Sequence, residues 1–287
     1  MLIDKYEDYL NYEKNFSNHT ISAYLTDIEA FENFLVIIGE KLSVDINYSF
    51  IRQWIVYLSE KKYSKTSINR KIASLKSYFN FLVNIDKIES SPLKGHKNLK
   101  SSSKIVIPFS EDEIMQVFEN FKDSKISDRD KLIIEIFYST GLRREELINI
   151  KIQDIYFEQG LIKILGKRNK ERFIPILPML SKNLKLYIKN NSSSKYLFET
   201  KKLKKLSVST VYRLINKYFR LVSSKVKVSP HVLRHTFATH MLNNGADINT
   251  IKDILGHSSL SSTQIYTKIK LPKIVNDYNK SHPREIG

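Results

Sequence analysis

Six side chains of the types that act on phosphodiesters are spread over the second half of this 287-residue chain. They are Arg143, Lys167, His231, Arg234, His257 and Tyr266. Arginine stays charged at physiological pH and can bind two oxygens of one phosphate at once. Tyrosine can supply an oxygen nucleophile when nearby cations favour its phenolate form. The set therefore predicts chemistry at a phosphodiester, with cationic donors around the phosphate and a tyrosine that attacks it.

The order and spacing of these residues are more specific than their types. Five of them belong to four short motifs: TGLRREEL over residues 140–147, GKRNKER over 166–172, HVLRH over 231–235, and LGH over 255–257. The sixth, Tyr266, follows His257 by nine positions. Together these motifs resemble those of the tyrosine recombinase (phage integrase) family, and within it the Xer type of chromosome-dimer resolvases. The resemblance covers nearly the whole chain.

The resemblance implies a role for each of the six residues. The two arginines would bind the scissile phosphate, and His257 would donate to one of its non-bridging oxygens. Lys167, in a predicted turn, would protonate the leaving 5′ oxygen, and His231 would take the proton of the tyrosine. Tyr266 would be the nucleophile that forms a 3′-phosphotyrosyl intermediate. Such an enzyme breaks and rejoins DNA strands without metal, cofactor or ATP.

Each assignment competes with a plainer interpretation. Arg143 could serve only to pair with Glu146, three residues on. The basic turn around Lys167 could contact the DNA backbone alone, an interpretation that suits Lys170 and Arg172 better. The tyrosine, one of 16 in the chain, could be an ordinary core or surface residue.

Two histidines also stand at a spacing that metal ligands use. His231 and His235 are four residues apart, but zinc catalysis needs three ligands and an open position. Arg234 lies between them and would repel a cation. We therefore predict no metal and no cofactor, and we interpret His235 and His240 as structural.

The charge of the chain indicates a polyanionic partner. Its 47 Lys and Arg outweigh its 30 Asp and Glu, which gives a net charge of +17. Residues 1–100 contain only 14 basic and 12 acidic residues, so most of the excess lies in residues 101–287. Double-stranded DNA is the expected partner. A solvated, lysine-rich surface is the alternative.

The sequence indicates neither a membrane nor a secretion route. No run approaches the ~18 to 20 apolar residues of a membrane span. The N-terminus lacks the basic-then-apolar layout of a signal peptide, and the chain contains no cysteine. We therefore expect a cytoplasmic, nucleoid-associated protein.

Helical periodicity dominates the first hundred residues. Apolar positions recur at helical spacing in four segments, residues 2–14, 20–36, 50–58 and 66–85. The polar run that contains Ser101-Ser102-Ser103 indicates a linker. We predict an N-terminal four-helix DNA-clamping domain over residues 1–95, a linker over 96–107 and a catalytic domain over 108–287. The basic side chains predicted to contact DNA are Lys65, Arg70, Lys71, Lys76, Lys170 and Arg172.

The second domain is predicted to be helical around one small sheet. Between residues 152 and 176 the apolar pattern shortens into stretches separated by Gly160 and by the polar Gly166–Lys170 run, which predicts three antiparallel strands. Helices are predicted again over residues 208–222, 230–242, 249–255 and 261–267. The fold class is therefore mainly α.

A tail follows the tyrosine and contains a set of apolar residues. They are Ile269, Leu271, Ile274 and Val275. The resemblance implies that this tail docks on the next protomer, so that a homo- or hetero-tetramer assembles on DNA by cyclic exchange. The alternative is that the tail packs on its own domain.

The resemblance also implies a biological role. An Xer-type enzyme would resolve chromosome dimers at a dif-like site, under the control of a DNA translocase of the FtsK type, during chromosome partition and cell division. A mobile-element or integron-type integrase is the alternative within the same chemistry, and the lack of an added N-terminal arm domain favours Xer. A catalytically silent DNA-binding protein is the alternative from another class. A type IB topoisomerase, which shares the chemistry, would relax supercoils without strand exchange.

Overall fold

The computed structural model describes residues 2–43, 45–100, 106–121, 126–166, 170–191, 194–200, 202–225, 228–256 and 270–286. The chain divides into two compact units, residues 1–104 and 105–287. Each unit has its own hydrophobic core. Within the described segments, no helix is both long and apolar enough to cross a membrane.

The first unit is built from four helices, three of which begin at a polar capping residue. They are α1 (Leu2–Asp8), α2 (Asn18–Ile37), α3 (Tyr48–Glu60) and α4 (Lys65–Asn84). The side chains of Ser17, Asn47 and Ser64 accept backbone N–H groups at the starts of α2, α3 and α4. The apolar stripes meet in a core where the rings of Phe31 and Trp54 lie 5.0 Å apart. The predicted set of four helices is confirmed.

The predicted opening helix over residues 2–14 differs from the structure in its second half. It is α-helical to Asp8 and then continues as a π-helical turn over Tyr9–Glu13. The Tyr9 ring lies 5.0 Å from that of Phe81, and the adjacent Leu10 is fully buried. Tyr9 and Leu10 therefore both contact the core of the first unit.

One buried carboxylate organises the basic start of α4. Asp27, 1% exposed, accepts hydrogen bonds from Arg70 Nη1 and Nη2 (2.5 and 2.8 Å), Lys71 Nζ (2.9 Å) and Ser74 Oγ (2.8 Å). Lys71 is itself buried beside Trp54. The prediction that Lys71 contacts DNA is therefore wrong, because its ammonium is buried on Asp27 inside the helix bundle. The Arg70 side chain remains 52% exposed.

The second unit combines helices with one small sheet. Its helices are α5 (Glu111–Asn120), α6 (Asp128–Thr140), α7 (Arg144–Ile148), α8 (Pro178–Lys189), α9 (Val208–Phe219), α10 (Pro230–Asn243), α11 (Ile248–Leu255), α12 (Lys270–Ser281) and α13 (Pro283–Ile286). Its strands are β1 (Ile155–Tyr156), β2 (Leu161–Leu165) and β3 (Glu171–Pro175), which pair antiparallel in the order β1-β2-β3. The predicted fold class is confirmed.

Helices α6 and α10 form the centre of this unit. Every residue from Leu132 to Thr140 on α6 is buried, as expected of a helix that is enclosed on all sides. Two side chains of α10 hold the backbone of Phe109: Thr236 Oγ1 accepts from its N–H (2.9 Å), and His240 Nε2 donates to its carbonyl (2.9 Å). These bonds anchor α10 from its middle onward, and its first half contains His231 and Arg234.

The C-terminal tail completes the core of its own unit. Ile274, Tyr278 and His282 are 5%, 0% and 0% exposed. The Tyr278 hydroxyl donates to the carbonyl of Ser139 on α6 (2.6 Å). The prediction that the tail leaves its own domain is thus not met by the single chain, because its largest side chains fill that domain's core. The alternative, a tail packed in place, describes this structure.

Acid should destabilise the second unit, because two of its core histidines are neutral. Burial lowers the pKa of His282 to about 3 and lowers that of His240 below its ordinary value. Unfolded histidine takes up a proton near pH ~6.5, whereas these side chains stay neutral in the folded protein. Stability is therefore lost as the pH falls below about 6.5, by up to ~1.4 kcal/mol per pH unit for His282 alone.

The expected result is a melting temperature of the second unit that falls between about pH 7 and about pH 5.5. His282→Gln should weaken this dependence, because one of the two titrating histidines is gone and His240 remains. His235→Gln is the matched control, since His235 is exposed on α10. The same pH dependence in both variants and in the unmodified protein would contradict the assignment to His282.

Candidate active site

Three of the six predicted residues meet at one cavity of about 440 Å³. Its walls are formed by Leu142, Arg143, Arg144, Glu145, Tyr212, Ser229, Pro230, His231 and Arg234. The cavity thus lies where the loop between α6 and α7 meets the start of α10, with α9 beside them. Arg143, His231 and Arg234 are the three residues of the predicted set of six that lie in described segments, and the structure brings them together.

Glu146 holds Arg143 in place at the start of α7. Its carboxylate accepts from the Arg143 backbone N–H (2.9 Å) and from Arg143 Nη1 (2.8 Å). Arg143 Nη2 also donates to the carbonyl of Gly256 (3.3 Å). The Arg143 side chain is nevertheless 44% exposed. The pairing with Glu146 considered from the sequence is real, and it leaves donors for a phosphate because a guanidinium carries five N–H groups.

Arg234 is a buried cation on the inner face of α10. It is 7% exposed, and its Nη1 and Nη2 donate to the carbonyls of Gly141 (2.6 Å) and Leu255 (2.7 Å). Burial, and then the charge of Arg143, lower the pKa of Arg234 to about 10. The residue is thus still charged at neutral pH. A cation held away from bulk water attracts an anion more strongly than one in bulk water does.

Gly141 is needed for two independent reasons. It ends α6 with φ +60°, a left-handed conformation that favours glycine. A Cβ at this position would lie 2.5 Å from Phe237 Cδ1 and 2.7 Å from Leu255 Cδ2. The Thr-Gly-Leu-Arg motif therefore allows α6 and α10 to pack closely, in addition to placing Arg143.

The start of α10 presents His231 to the cavity. Ser229 caps the helix by accepting from the Val232 N–H (3.4 Å), and Pro230 occupies its first position, where proline needs no N–H partner. His231 follows and is exposed. It lies on the same side of the helix as Arg234, three residues on.

Several predicted residues fall outside the described segments. They are Lys167, His257, Tyr266 and, in the tail, Ile269. The described residues on either side of 167–169 are hydrogen-bonded, since Gly166 N donates to the Lys170 carbonyl (2.7 Å). Gly256 ends α11 with φ +65°. The roles assigned to the residues outside the described segments stay predictions.

Arg172 lies inside the protein. It is 5% exposed, its Nη1 and Nη2 donate to the two oxygens of Glu146 (2.9 and 2.8 Å), and its Nε donates to the Ile254 carbonyl (2.8 Å). The prediction that Arg172 contacts DNA is therefore wrong. Burial alone would raise the pKa of the Glu146 carboxyl, but the hydrogen bonds and charges of Arg172 and Arg143 hold it below its ordinary value. Glu146 is accordingly ionised.

From the sequence, Glu146 is only a pairing partner of Arg143, and neither Arg144 nor Tyr212 is placed in the site. One signal could have found Glu146 as a positioning group, because a Glu three residues after a helix cap often accepts from the cap's N–H. Tyr212, on the exposed side of α9, carries no such signal. Its place in the cavity wall is a property of the tertiary structure.

Comparison with known families agrees with this geometry. The model of the phage integrase family matches residues 108–271. The model of the phage integrase N-terminal SAM-like domain matches residues 3–85. The chain belongs to the phage integrase family.

Relatives match this recombinase from end to end. Tyrosine recombinase XerC of Oceanobacillus iheyensis is 36% identical over 297 residues, which cover 100% of this chain and 97% of that protein. Tyrosine recombinase XerD of Shewanella oneidensis is 32% identical, over 99% of this chain and 97% of that protein. These similarities confirm the predicted resemblance to Xer-type tyrosine recombinases.

Solved structures share the fold at lower identity. The Tn1549 transposon integrase, in complex with transposon right end DNA, is 21% identical with a TM-score of 0.74, covering 91% of this chain and 93% of that one. A lambda integrase tetramer bound to a Holliday junction is 19% identical with a TM-score of 0.72, covering 91% and 77%. The likeness to both structures concerns the fold.

Proposed function

We propose that this recombinase cleaves and rejoins DNA at a specific site through a 3′-phosphotyrosyl intermediate on Tyr266. The observation that carries the proposal is the convergence of Arg143, His231 and Arg234 on one cavity. Two guanidinium groups and an imidazole are suited to a phosphodiester whose charge builds up during attack. Arg143 is partly exposed and Arg234 is buried, and both line this cavity.

The proposed reaction exchanges one bond between phosphorus and oxygen for another. The Tyr266 oxygen attacks, and the bond to the 5′ oxygen of the next nucleotide breaks. His231 takes the phenol proton, and Lys167 gives a proton to the departing 5′ oxygen. The two arginines and His257 stabilise the non-bridging oxygens. The phosphotyrosyl bond stores the energy of the broken linkage, so attack by a 5′ hydroxyl rejoins the strand without ATP or a metal ion.

Duplex DNA is the proposed substrate because of the charge of the chain. The net charge of +17 lies mostly in residues 101–287. Lys65, Lys76 and Lys170 are exposed, and Arg70 is half-exposed, so these four are the proposed phosphate contacts. The solved integrases of similar fold are bound to DNA, which supports this assignment.

We further propose the biological role of an Xer enzyme, the resolution of chromosome dimers at a dif-like site. Full-length similarity to XerC and XerD supports this role over that of a mobile-element or integron-type integrase. The lambda integrase tetramer on a Holliday junction supports assembly of a homo- or hetero-tetramer on DNA. A DNA translocase of the FtsK type would activate it, and its place of action would be the nucleoid in the cytoplasm.

A trapping experiment tests the proposed chemistry. Genome-wide chromatin immunoprecipitation first identifies the bound site, and a duplex with that site and a nick beside the cleavage position then serves as a suicide substrate. The nick lets a short fragment diffuse away, so the covalent intermediate accumulates. We expect an SDS-resistant protein–DNA adduct in excess EDTA, because cationic side chains stabilise the phosphate.

The outcomes separate the alternatives. Tight binding without an adduct would indicate a DNA-binding protein that has lost catalysis. Cleavage that EDTA abolishes and a divalent ion restores would contradict the cationic mechanism. Relaxation of supercoils without strand exchange between two sites would indicate a topoisomerase. A bound site far from the replication terminus, inside a mobile element, would favour the integrase alternative.

A further inference from the structure

Arg172 is a charged residue at a core position of the sheet. Along β3, Arg172 and Ile174 are buried, whereas Glu171 is exposed. Arg172 lies opposite Ile164 of β2, which is also buried. A guanidinium in such a position is costly unless it is paired and hydrogen-bonded, and an apolar residue would fill the space at lower cost. The presence of a charge here therefore calls for a reason other than packing.

The guanidinium contacts two other segments of the site. Its Nη1 and Nη2 donate to both oxygens of Glu146 on α7, and its Nε donates to the Ile254 carbonyl in the last turn of α11. It also lies against Gly256, where an added Cβ would be 3.1 Å from Cζ, Nε and Nη1 of Arg172. One side chain thus joins β3, α7 and the end of α11.

Each of these segments adjoins a residue of the proposed catalytic set in the sequence. Strand β3 follows the turn that contains Lys167, α7 begins immediately after Arg143, and Gly256 precedes His257. Displacing Arg172 would therefore loosen the chain next to three of the six residues at once. Small errors in the placement of catalytic groups have large effects on rate.

Arg172 also controls the net charge beside Arg143. Glu146 is ionised and bonds to Arg143 Nη1 as well as to Arg172. With Arg143 as its only partner, Glu146 would cancel the charge that is needed to attract a phosphate. Because Arg172 binds both carboxylate oxygens, the Arg172–Glu146 pair is neutral as a unit. Arg143 then keeps its positive charge for the substrate.

We propose that Arg172 is a positioning residue for DNA cleavage. It fixes β3, α7 and the end of α11 relative to one another, and it neutralises Glu146 so that Arg143 acts as a cation at the scissile phosphate. This inference depends on the proposed function. It concerns the rate of the chemical step and not the affinity for DNA, which the exposed basic residues provide.

Arg172→Met, which keeps the length of the side chain without its charge, is the first test. With the full chain in excess over the nicked duplex, we expect the adduct to form about 10- to 100-fold more slowly. The dissociation constant for the same duplex should change by less than about threefold. Arg284→Met is the matched control, because it removes a partly buried Arg–Glu pair of the same unit. It should lower the melting temperature and retain the rate at temperatures where it is folded.

Rescue by Glu146→Gln distinguishes charge from packing. By itself Glu146→Gln should slow adduct formation, since Arg172 loses its carboxylate. In the Arg172→Met background the same change removes the carboxylate that would otherwise cancel the charge of Arg143, so it should raise the rate of adduct formation at least about fivefold above that of Arg172→Met. A role in packing alone predicts additive losses in the double variant, and that result would overturn the proposal.

Arg172→Lys covers the case in which Arg172→Met does not fold. A single ammonium cannot bond both Glu146 oxygens and the Ile254 carbonyl in the same geometry. A folded Arg172→Lys variant that forms the adduct more slowly and binds DNA with unchanged affinity supports the proposal. If either variant forms the adduct as fast as the unmodified protein does, the proposal is contradicted. An unmodified protein that forms no adduct would instead count against the proposed function itself.

Discussion

Replacement of Tyr266 by phenylalanine is expected to abolish covalent attachment to DNA and to leave DNA binding unchanged. The variant loses one oxygen atom, and no other group of the ring can attack phosphorus. On the nicked duplex, adduct formation should fall by at least about 1,000-fold relative to the unmodified protein. Gel analysis under denaturing conditions measures the adduct, and a binding assay with the same duplex measures the affinity.

Tyr212 provides the matched control for this substitution. It lines the same cavity as His231 and is 43% exposed, so it is the competing nucleophile within the described part of the site. Tyr212→Phe should form the adduct at a rate close to that of the unmodified protein. If Tyr212→Phe loses the adduct while Tyr266→Phe retains it, the nucleophile must be reassigned to α9, and the resemblance would have misled the assignment.

Truncation after Lys268 is expected to destabilise the second unit severely. The deletion removes Ile274, Tyr278 and His282 from the core, where each is at most 5% exposed. Loss of one large buried side chain commonly costs about 2 to 5 kcal/mol. The melting temperature should therefore fall by more than about 10 °C in a unit of this size. Calorimetry of the full and the shortened chain measures the difference.

Two comparisons sharpen the truncation experiment. Lys280→Ala changes an exposed residue of α12 and should leave the melting temperature unchanged. Tyr278→Phe removes only the hydroxyl that donates to Ser139, so it should cost a small part of what truncation costs. A shortened chain that melts like the full one would show that the tail does not belong to the core.

Exchange between protomers can be tested on the same shortened chain. A tail from a neighbouring molecule would have to make in trans the contacts that Tyr278 and His282 make in the single chain. A synthetic peptide of residues 269–287 should therefore raise the melting temperature of the shortened chain. A peptide without effect at high concentration would contradict the exchange of tails that the resemblance implies.

The sequence by itself determined the local structure and the type of chemistry. Ser64 begins α4, the Ser110 and Glu113 side chains form the capping box of α5, and Gly141 ends α6, because each of these signals acts within a few residues. The shorter apolar period between residues 152 and 176 likewise indicated the sheet. The order and spacing of the four motifs and Tyr266 indicate the family, since spacing along the chain is itself a sequence property.

Only the tertiary structure decided which charges are free to act. In the sequence, Lys71 and Arg172 look like their neighbours Arg70 and Lys170, yet both are buried on carboxylates that are distant along the chain. Lys71 pairs with Asp27, 44 residues away, and Arg172 with Glu146, 26 residues away. The spacing of residues in the sequence does not show which distant carboxylate will pair with a given cation. The burial of an ionic group depends on a partner that only folding brings within hydrogen-bond distance.

The position of the tail was decided in the same way. Its apolar residues suit a neighbouring protomer and its own domain equally well, because hydrophobic burial has no direction and depends only on the surface that is available. In the folded chain Tyr278 reaches the carbonyl of Ser139, 139 residues away, and His282 is enclosed beside it. Burying a hydroxyl without a hydrogen bond costs free energy, and the acceptor for the Tyr278 hydroxyl lies on the chain's own α6. That contact between distant residues makes the tail part of its own core in the single chain.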